Sequence, residues 1–280
     1  MSIFSGFGKL GLESIEGEDL FDDPRKKEVK VKKEEPKKKL QLVNEEDYLF
    51  DKKYKCPVCE SDFEAKTVRT GKVRMKNVDI DLRPDYDELD QNKYDVIACP
   101  ACGYAALGRY FPNVNKYQID DIRVKICMNY KHEPCREPIY SYEYAKRLYQ
   151  LALANAVVKK AKNSEKAYIC MKSAWVIRGE TQRLDPEADD YETRKAENDA
   201  QEKELLTNAL NGFVMARQTE EFPIAGMDST TLDYLMAALA VETGQKEIAS
   251  KMISEILTSR VANSRIKDKA RTLKDMLAES

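Results

Sequence analysis

The chain has 280 residues, of which 42% are hydrophobic and 34% are charged, so it is long enough for one or two compact domains. Its formal net charge of -2 excludes a binding mode based on overall positive charge, so any basic surface must be local. The sequence has no run of about 18 apolar residues, so we expect no membrane span and no membrane partner. Residues 1–17 lack the basic start and apolar block of a secretory signal, and cysteines in paired motifs suit a reducing compartment. We therefore expect a cytoplasmic protein.

Residues 1–45 are predicted to form a disordered charged tail. The first half is acidic and the second half is rich in lysine, with few apolar side chains between them. Such a stretch cannot bury enough apolar surface to offset its conformational entropy. It is either a solvated leader or an electrostatic arm for nucleic acid or an acidic partner, and the neighbouring acidic block favours the leader.

Two Cys-Pro-x-Cys motifs carry the strongest chemical signal, and both lie within residues 46–136. They are Cys56-Pro57-Val58-Cys59 and Cys99-Pro100-Ala101-Cys102. Each motif can present two thiolates to one metal ion, and together they supply a tetrahedral four-thiolate set. Proline restrains each turn, and Gly103 permits the positive φ that such a turn commonly needs. We therefore predict a zinc-ribbon-like domain over residues 46–136, with one structural Zn²⁺ bound by Cys56, Cys59, Cys99 and Cys102.

Three other interpretations of these cysteines stay open at this point. A redox pair is one, although neither motif follows a buried strand and opens a helix, as thioredoxin-like sites do. A catalytic zinc needs an open coordination position and a nearby base, and four cysteine ligands leave no such position. Unliganded core cysteines are the third, and the two proline-containing motifs argue against them. A structural zinc site is favoured because ligand number, spacing and ligand chemistry agree.

The segment between the motifs, residues 60–98, alternates apolar and polar side chains in places, which is typical of strands. The pattern predicts strands over residues 72–76, 78–82 and 95–98, and loops over residues 83–85 and 90–92. The expected result is a small antiparallel sheet closed by the metal ion.

Five basic residues of this segment are candidates for contact with phosphate groups of nucleic acid: Lys66, Arg69, Lys72, Arg74 and Lys76. We expect three of them to share one face of a strand, as on nucleic-acid-binding ribbons. An ordinary solvated face is the alternative, because Asp79, Asp81 and Asp85 follow closely and dilute the positive field. A hydrolase or nuclease working through these three carboxylates would be a further alternative, since sequence spacing does not report spatial clustering.

A second metal site is conceivable at Cys127, His132 and Cys135, which lie close together in the sequence. Three ligands at an unfamiliar spacing are a weak signal, so a structural or incidental role is favoured for them. His132 is the chain's single histidine. The sequence also lacks a glycine-rich phosphate loop, and a Ser-His-Asp set cannot be picked out, so we expect no enzymatic activity.

From residue 137 onward the apolar side chains recur with the period of 3.6 that predicts α-helices. Ala145, Leu148, Ala152 and Ala156 define one buried face, and residues 167–175 define a second. Asp185 before Pro186 predicts a helix start, and Thr230 with Asp233 has the spacing of a capping box. We predict an all-α domain over residues 137–280 with helix pairs that resemble tetratricopeptide units, and a plain helical bundle is the alternative. Overall the predicted fold class is α+β.

Several motifs together resemble a bacterial family known as domain of unknown function 2225. They are Tyr54-Lys-Cys-Pro-Val-Cys59, Thr67-Val-Arg-Thr-Gly-Lys72, Asp81-Leu-Arg-Pro84, Tyr94-Asp-Val-Ile-Ala-Cys-Pro-Ala-Cys-Gly-Tyr-Ala-Ala106, Leu151-Ala-Leu-Ala-Asn-Ala156, Glu165-Lys-Ala-Tyr-Ile-Cys170 and Ala174-Trp175. The resemblance covers roughly residues 46–280. It implies a ribbon-like cysteine module with tetratricopeptide-like helices and an intracellular location, and it assigns no activity.

Two functions follow as hypotheses. The first is a protein-protein interaction adaptor that holds another protein or peptide in a helical-repeat groove, because stacked helix pairs form concave surfaces. The second is a nucleic-acid-binding protein that uses the basic face of the ribbon, in which case binding should depend steeply on salt.

Overall fold

A computed structural model describes residues 44–131 and 137–279, and all elements below lie within these ranges. The strands are β1 Leu49–Lys55, β2 Asp62–Val68, β3 Met75–Val78, β4 Pro84–Tyr86, β5 Val96–Ala98 and β6 Ala105–Leu107. The helices are α1 Lys116–Ile122, α2 Tyr142–Val158, α3 Asn163–Thr181, α4 Tyr191–Thr219, α5 Ser229–Glu242, α6 Lys246–Thr258 and α7 Ser264–Glu279. A π-helical turn, Arg123–Cys127, extends α1. Antiparallel strands followed by helices confirm the α+β class.

The strands form three separate antiparallel hairpins, β1-β2, β3-β4 and β5-β6, rather than one sheet. In the first hairpin the pairing runs from Leu49 opposite Val68 to Lys55 opposite Asp62. In the third it runs from Val96 opposite Leu107 to Ala98 opposite Ala105. Each of these two hairpins ends in one of the Cys-Pro-x-Cys motifs, so the pairing of the strands positions the cysteines.

The predicted strand boundaries between the motifs were partly wrong. β3 begins at Met75, and residues 79–83 form a turn in which Leu82 has φ of 69°. The turn replaces the predicted strand because the Asp81 carboxylate accepts a hydrogen bond from the Arg83 amide, which curls the chain back. β4 then starts at Pro84, where a loop was predicted, while residues 96–98 form a strand as predicted.

The apolar periodicity located the helices correctly, with two errors at their starts. Ala145, Ala152 and Ala156 are at most 1% exposed on α2, as the pattern predicts. However, α4 begins at Tyr191, so the Asp185–Pro186 signal marks a turn that precedes the helix by several residues. At α5 the N-cap residue is Asp228 rather than Thr230. The Asp228 carboxylate accepts a hydrogen bond from the Thr231 amide at 2.8 Å.

Strands and helices share one apolar core around α2. Leu49, Val68 and Val96 from the hairpins pack in the same cluster as Leu148 and Tyr149 from α2. A second apolar cluster contains side chains from all five helices from α3 through α7. A third apolar cluster surrounds the cysteine motifs. The cysteine-bearing hairpins therefore rest directly on helical side chains.

Candidate metal centre

The two cysteine turns, Cys56–Cys59 and Cys99–Cys102, have the same backbone geometry. In the first, the Cys56 amide donates to the Ser61 carbonyl at 3.0 Å and the Glu60 amide donates to the Cys56 carbonyl at 2.9 Å. In the second, the equivalent bonds run from Cys99 to Tyr104 at 2.8 Å and from Gly103 to Cys99 at 2.9 Å. Both turns use a positive φ at the residue after the second cysteine, 64° at Glu60 and 75° at Gly103. Gly103 therefore has the conformation that the sequence predicts.

The four cysteine sulfurs converge on one point. All four lie within 4.8 Å of one another, and the Cys56–Cys102 and Cys59–Cys99 sulfurs are each 3.6 Å apart. A tetrahedral complex with metal–sulfur bonds of about 2.3 Å has sulfurs about 3.8 Å apart, so the spacing fits a four-thiolate ion. All four cysteines are unbridged, and three of them are buried. The site could hold a metal ion with no coordination position left open.

Crowding in the cluster opposes full ionisation of the thiols. Hydrogen bonds from Cys102 and Cys99 lower the pKa of Cys56 to about 2. The same contact with Cys56 and burial raise the pKa of Cys102 well above the ordinary thiol range. The thiolate form is therefore favoured at Cys56, while Cys102 keeps its proton. Cys56, Cys59, Cys99 and Cys102 would hold a divalent cation, and such an ion would favour the thiolate form of these ligands.

Side chains from the helical region hold each cysteine turn in place. Arg123, in the π-helical turn, donates two hydrogen bonds to the Val58 carbonyl, at 3.2 and 2.7 Å. Asn155 of α2 is fully buried and donates to the Gly103 carbonyl at 3.0 Å. A Cβ atom on Gly103 would lie 2.4 Å from the Tyr130 ring. These contacts fix the thiolate geometry from outside, and sequence spacing gives no signal for them.

Two of the three ligands predicted for a second metal site lie outside the described residues. His132 and Cys135 lie outside the described residues, as does the tail up to residue 43. Cys127 is described, and it packs beside the four-cysteine cluster without joining it. Burial raises the pKa of the Cys127 thiol, so this cysteine favours the protonated form.

Three of the five predicted phosphate-contacting residues have partners within the described part of the fold. Lys66 pairs with Asp51 at 3.0 Å, Lys76 pairs with Asp87 at 3.4 Å, and Arg69 donates to the Leu49 carbonyl at 3.0 Å. Lys72 and Arg74 precede β3, so the predicted strand face is wrong. Because β3 begins at Met75, Lys76 is the one member of the predicted trio that lies in a strand.

Two of the three aspartates proposed as a carboxylate site, Asp79 and Asp81, instead belong to a buried ion network centred on Arg178. The partners of its guanidinium are Asp79 at 3.3 Å, Asp81 at 3.0 Å, Glu202 at 2.6 Å and Glu242 at 3.1 Å. Asp81 is fully buried, and its carboxylate also accepts a hydrogen bond from the Trp175 indole N–H at 2.7 Å. Asp85 lies apart in β4. The network fastens the residue 79–83 turn to α3, α4 and α5, and three of its members lie far away in sequence.

A groove between α4, α5 and α6 has a volume of about 310 Å³ and a mixed apolar and polar lining. Val214, Met236, Met252 and Ile256 supply its apolar lining. An ion pair between Arg217 and Asp233, 3.1 Å apart, lies at its edge. Within the described ranges, no helix is long and apolar enough to cross a membrane.

Comparison with known proteins gives one finding. Neither the curated proteins nor the solved structures contain a match. One family profile, described as an uncharacterized protein conserved in bacteria (DUF2225), matches residues 49–277, which include both cysteine turns and nearly all of the helical region. The chain therefore belongs to the DUF2225 family.

Proposed function

We propose that this protein is a cytoplasmic adaptor without enzymatic activity, in which one structural Zn²⁺ fixes the hairpins and a groove in the helices holds a partner protein. The observation that carries the adaptor proposal is the groove between α4, α5 and α6.

Zinc is the metal that best suits the candidate centre. Four thiolates in a closed tetrahedral arrangement favour zinc over magnesium or calcium, which prefer oxygen ligands. Four cysteine ligands fill the coordination positions of a tetrahedral zinc ion, which supports a structural role, since catalysis at zinc needs a position open to water or substrate. The short hairpins have little core of their own, so metal binding would contribute directly to their folding free energy.

The groove has the chemistry of a site for an amphipathic peptide segment. Met236 and Met252 supply flexible thioether side chains, which adapt to the shape of an apolar ligand. The Arg217–Asp233 pair at the edge offers both charge signs to the polar side of a bound helix or strand. Helix-in-groove recognition uses this combination of an apolar floor and a polar rim. Whether the helix pairs are tetratricopeptide-like stays a prediction, and the groove proposal does not depend on it.

Affinity capture from the native lysate tests the proposal, with the full-length protein and two variants of α6. Met252→Lys places a charge in the groove, while Ile248→Lys makes the same kind of change at a side chain that is 40% exposed and outside the groove. We expect a defined set of proteins to survive nuclease treatment, to be retained by Ile248→Lys and to be lost with Met252→Lys. Equal capture by both variants would refute the groove as the binding site.

Nucleic-acid binding through the ribbon is the second candidate function. The pairing of Lys66 and Lys76 with carboxylates weakens the face that the sequence suggested. If the captured material disappears after nuclease treatment, nucleic acid carries the interaction and the adaptor proposal is wrong.

A further inference from the structure

We propose that a second cleft, between the β1-β2 hairpin and α3, binds a single-stranded polynucleotide through stacked bases and phosphate contacts. Its functional side chains are Lys52, Tyr54, Thr67, Arg109, Tyr168 and Lys172, which we call the aromatic-cationic cleft. The surface differs from the groove of the adaptor proposal and from the basic residues that the sequence suggested.

The faces of the β1-β2 hairpin differ sharply in chemistry. Cross-strand partners point to the same side of a hairpin, and neighbours along a strand point to opposite sides. One side therefore carries the pairs Phe50–Thr67, Lys52–Ala65 and Tyr54–Phe63. The opposite side carries all three acidic strand residues, Asp51, Asp62 and Glu64. The aromatic side thus combines three rings with a lysine and has no carboxylate on either strand.

Two further cations and a ring from other parts of the fold complete the cleft. Tyr54 and Thr67 line a cavity of about 290 Å³ together with Arg109, Tyr168 and Lys172. This volume is near the lower end for ligand cavities, so it suits one nucleotide rather than a large molecule. The rest of a strand would lie along the hairpin over Lys52, which is exposed.

Cations and rings alternate across this surface. The Lys52 ammonium lies 5.2 Å from the Tyr54 ring centre, and Arg109 lies 5.4 Å from the Tyr168 ring centre. Lys172 lies 5.7 Å from the same Tyr168 ring. Aromatic rings and guanidinium planes stack with nucleobases of any sequence, and the adjacent cations attract the phosphates.

The charge balance of the lining favours an anionic ligand. Asp95 is the single carboxylate among the described residues that line the cavity, and it pairs with Lys172. Arg109 is exposed and uses one guanidinium nitrogen to donate to the Ala225 carbonyl at 2.6 Å. The exposed Lys52 ammonium and the exposed face of the Arg109 guanidinium are the positive charges that a phosphate would meet. Because the opposite charges of Asp95 and Lys172 cancel, Arg109 and Lys52 leave the cleft with a net positive charge. The whole chain, in contrast, has a net charge of -2.

Adjacent lysines on β1 provide a matched test. Lys52→Glu reverses a charge on the cleft side, and Lys53→Glu makes the identical change one residue along, on the opposite side. Binding of fluorescein-labelled 12-nucleotide oligothymidine and oligouridine to the full-length, zinc-loaded protein would be followed by fluorescence anisotropy at 50 mM salt. We expect Lys52→Glu to weaken binding about tenfold and Lys53→Glu less than about threefold. Both variants contain the charged tail of residues 1–45, so any contribution of the tail to oligonucleotide binding is the same in each.

A third variant separates base stacking from charge. Tyr168→Leu keeps the charge of the cleft, so it should weaken oligonucleotide binding several-fold without changing the salt dependence. A 12-residue glutamate peptide, which has charge but no bases, should bind more weakly and be insensitive to this substitution.

Three results would overturn the proposal: absence of oligonucleotide binding at 100 μM protein, equal losses with the two lysine variants, or peptide binding as tight as that of the oligonucleotides. The last result would indicate an acidic protein segment as the ligand. Met252→Lys should leave oligonucleotide binding unchanged, so failure of the adaptor proposal is distinguishable from failure of this one.

Discussion

Gly103 is the position where the second cysteine turn is most sensitive to a single added carbon atom. Its φ of 75° is a conformation that disfavours side chains, and a Cβ would lie 2.4 Å from the Tyr130 ring. We estimate about 1 kcal/mol for the backbone conformation of alanine and about 1–3 kcal/mol for displacing the ring. Gly103→Ala should therefore lower the free energy of unfolding by about 2–4 kcal/mol.

Glu60 provides the matched control, because it occupies the equivalent position of the first turn with φ of 64° and an exposed side chain. Glu60→Ala keeps a Cβ in the same conformation, so it should change the free energy of unfolding by less than about 0.5 kcal/mol. Urea unfolding of the zinc-loaded proteins measures both values. A Gly103→Ala protein as stable as the wild type, or an equal loss with Glu60→Ala, would refute this account of the turn.

Three further predictions concern the ion network and the fifth cysteine. Arg178→Met leaves four largely buried acidic side chains without their shared cation and should destabilise the fold by about 3–5 kcal/mol. Arg194→Met, at a half-exposed ion pair, should cost less than about 1 kcal/mol, and similar losses of the two variants in thermal unfolding would contradict this. Burial and the nearby Asp81 charge raise the pKa of Glu242 from 4.5 to about 8, so the folded state retains a proton that the unfolded chain releases. The free energy of unfolding should thus fall as pH rises from about 5 to 8, and Glu242→Gln should remove most of that fall in urea titrations; an unchanged slope would contradict it. Cys127→Ser should retain a full equivalent of zinc by elemental analysis, and loss of the metal would assign Cys127 a ligand role.

Local sequence signals predicted the features that depend on near neighbours in the chain. The cysteine turns and the positive φ at Gly103 follow from a few adjacent residues, and the buried face of α2 follows from its 3.6-residue period. These features were predicted correctly because each depends on a local backbone preference.

Features that depend on distant contacts could not be predicted in this way. Of the strand predicted over residues 78–82, only Val78 lies in a strand. Asp81 forms the turn with the Arg83 amide and is held there by Trp175 and Arg178, which lie more than 90 residues away. The predicted strand face of Lys72, Arg74 and Lys76 was wrong because β3 begins only at Met75. The aromatic-cationic cleft combines Tyr54 with Lys172, and sequence spacing contains no information about that approach.

The zinc content of the purified full-length protein decides whether the four cysteines form a metal centre. The protein would be prepared without added metal or chelator, and its zinc content would be measured by elemental mass spectrometry together with a Cys99→Ser variant. We expect about one zinc per chain in the wild type and a large loss in the variant, because the four-thiolate site loses one ligand. A wild-type protein that folds without zinc and does not take it up, or a variant that keeps a full equivalent, would contradict the account.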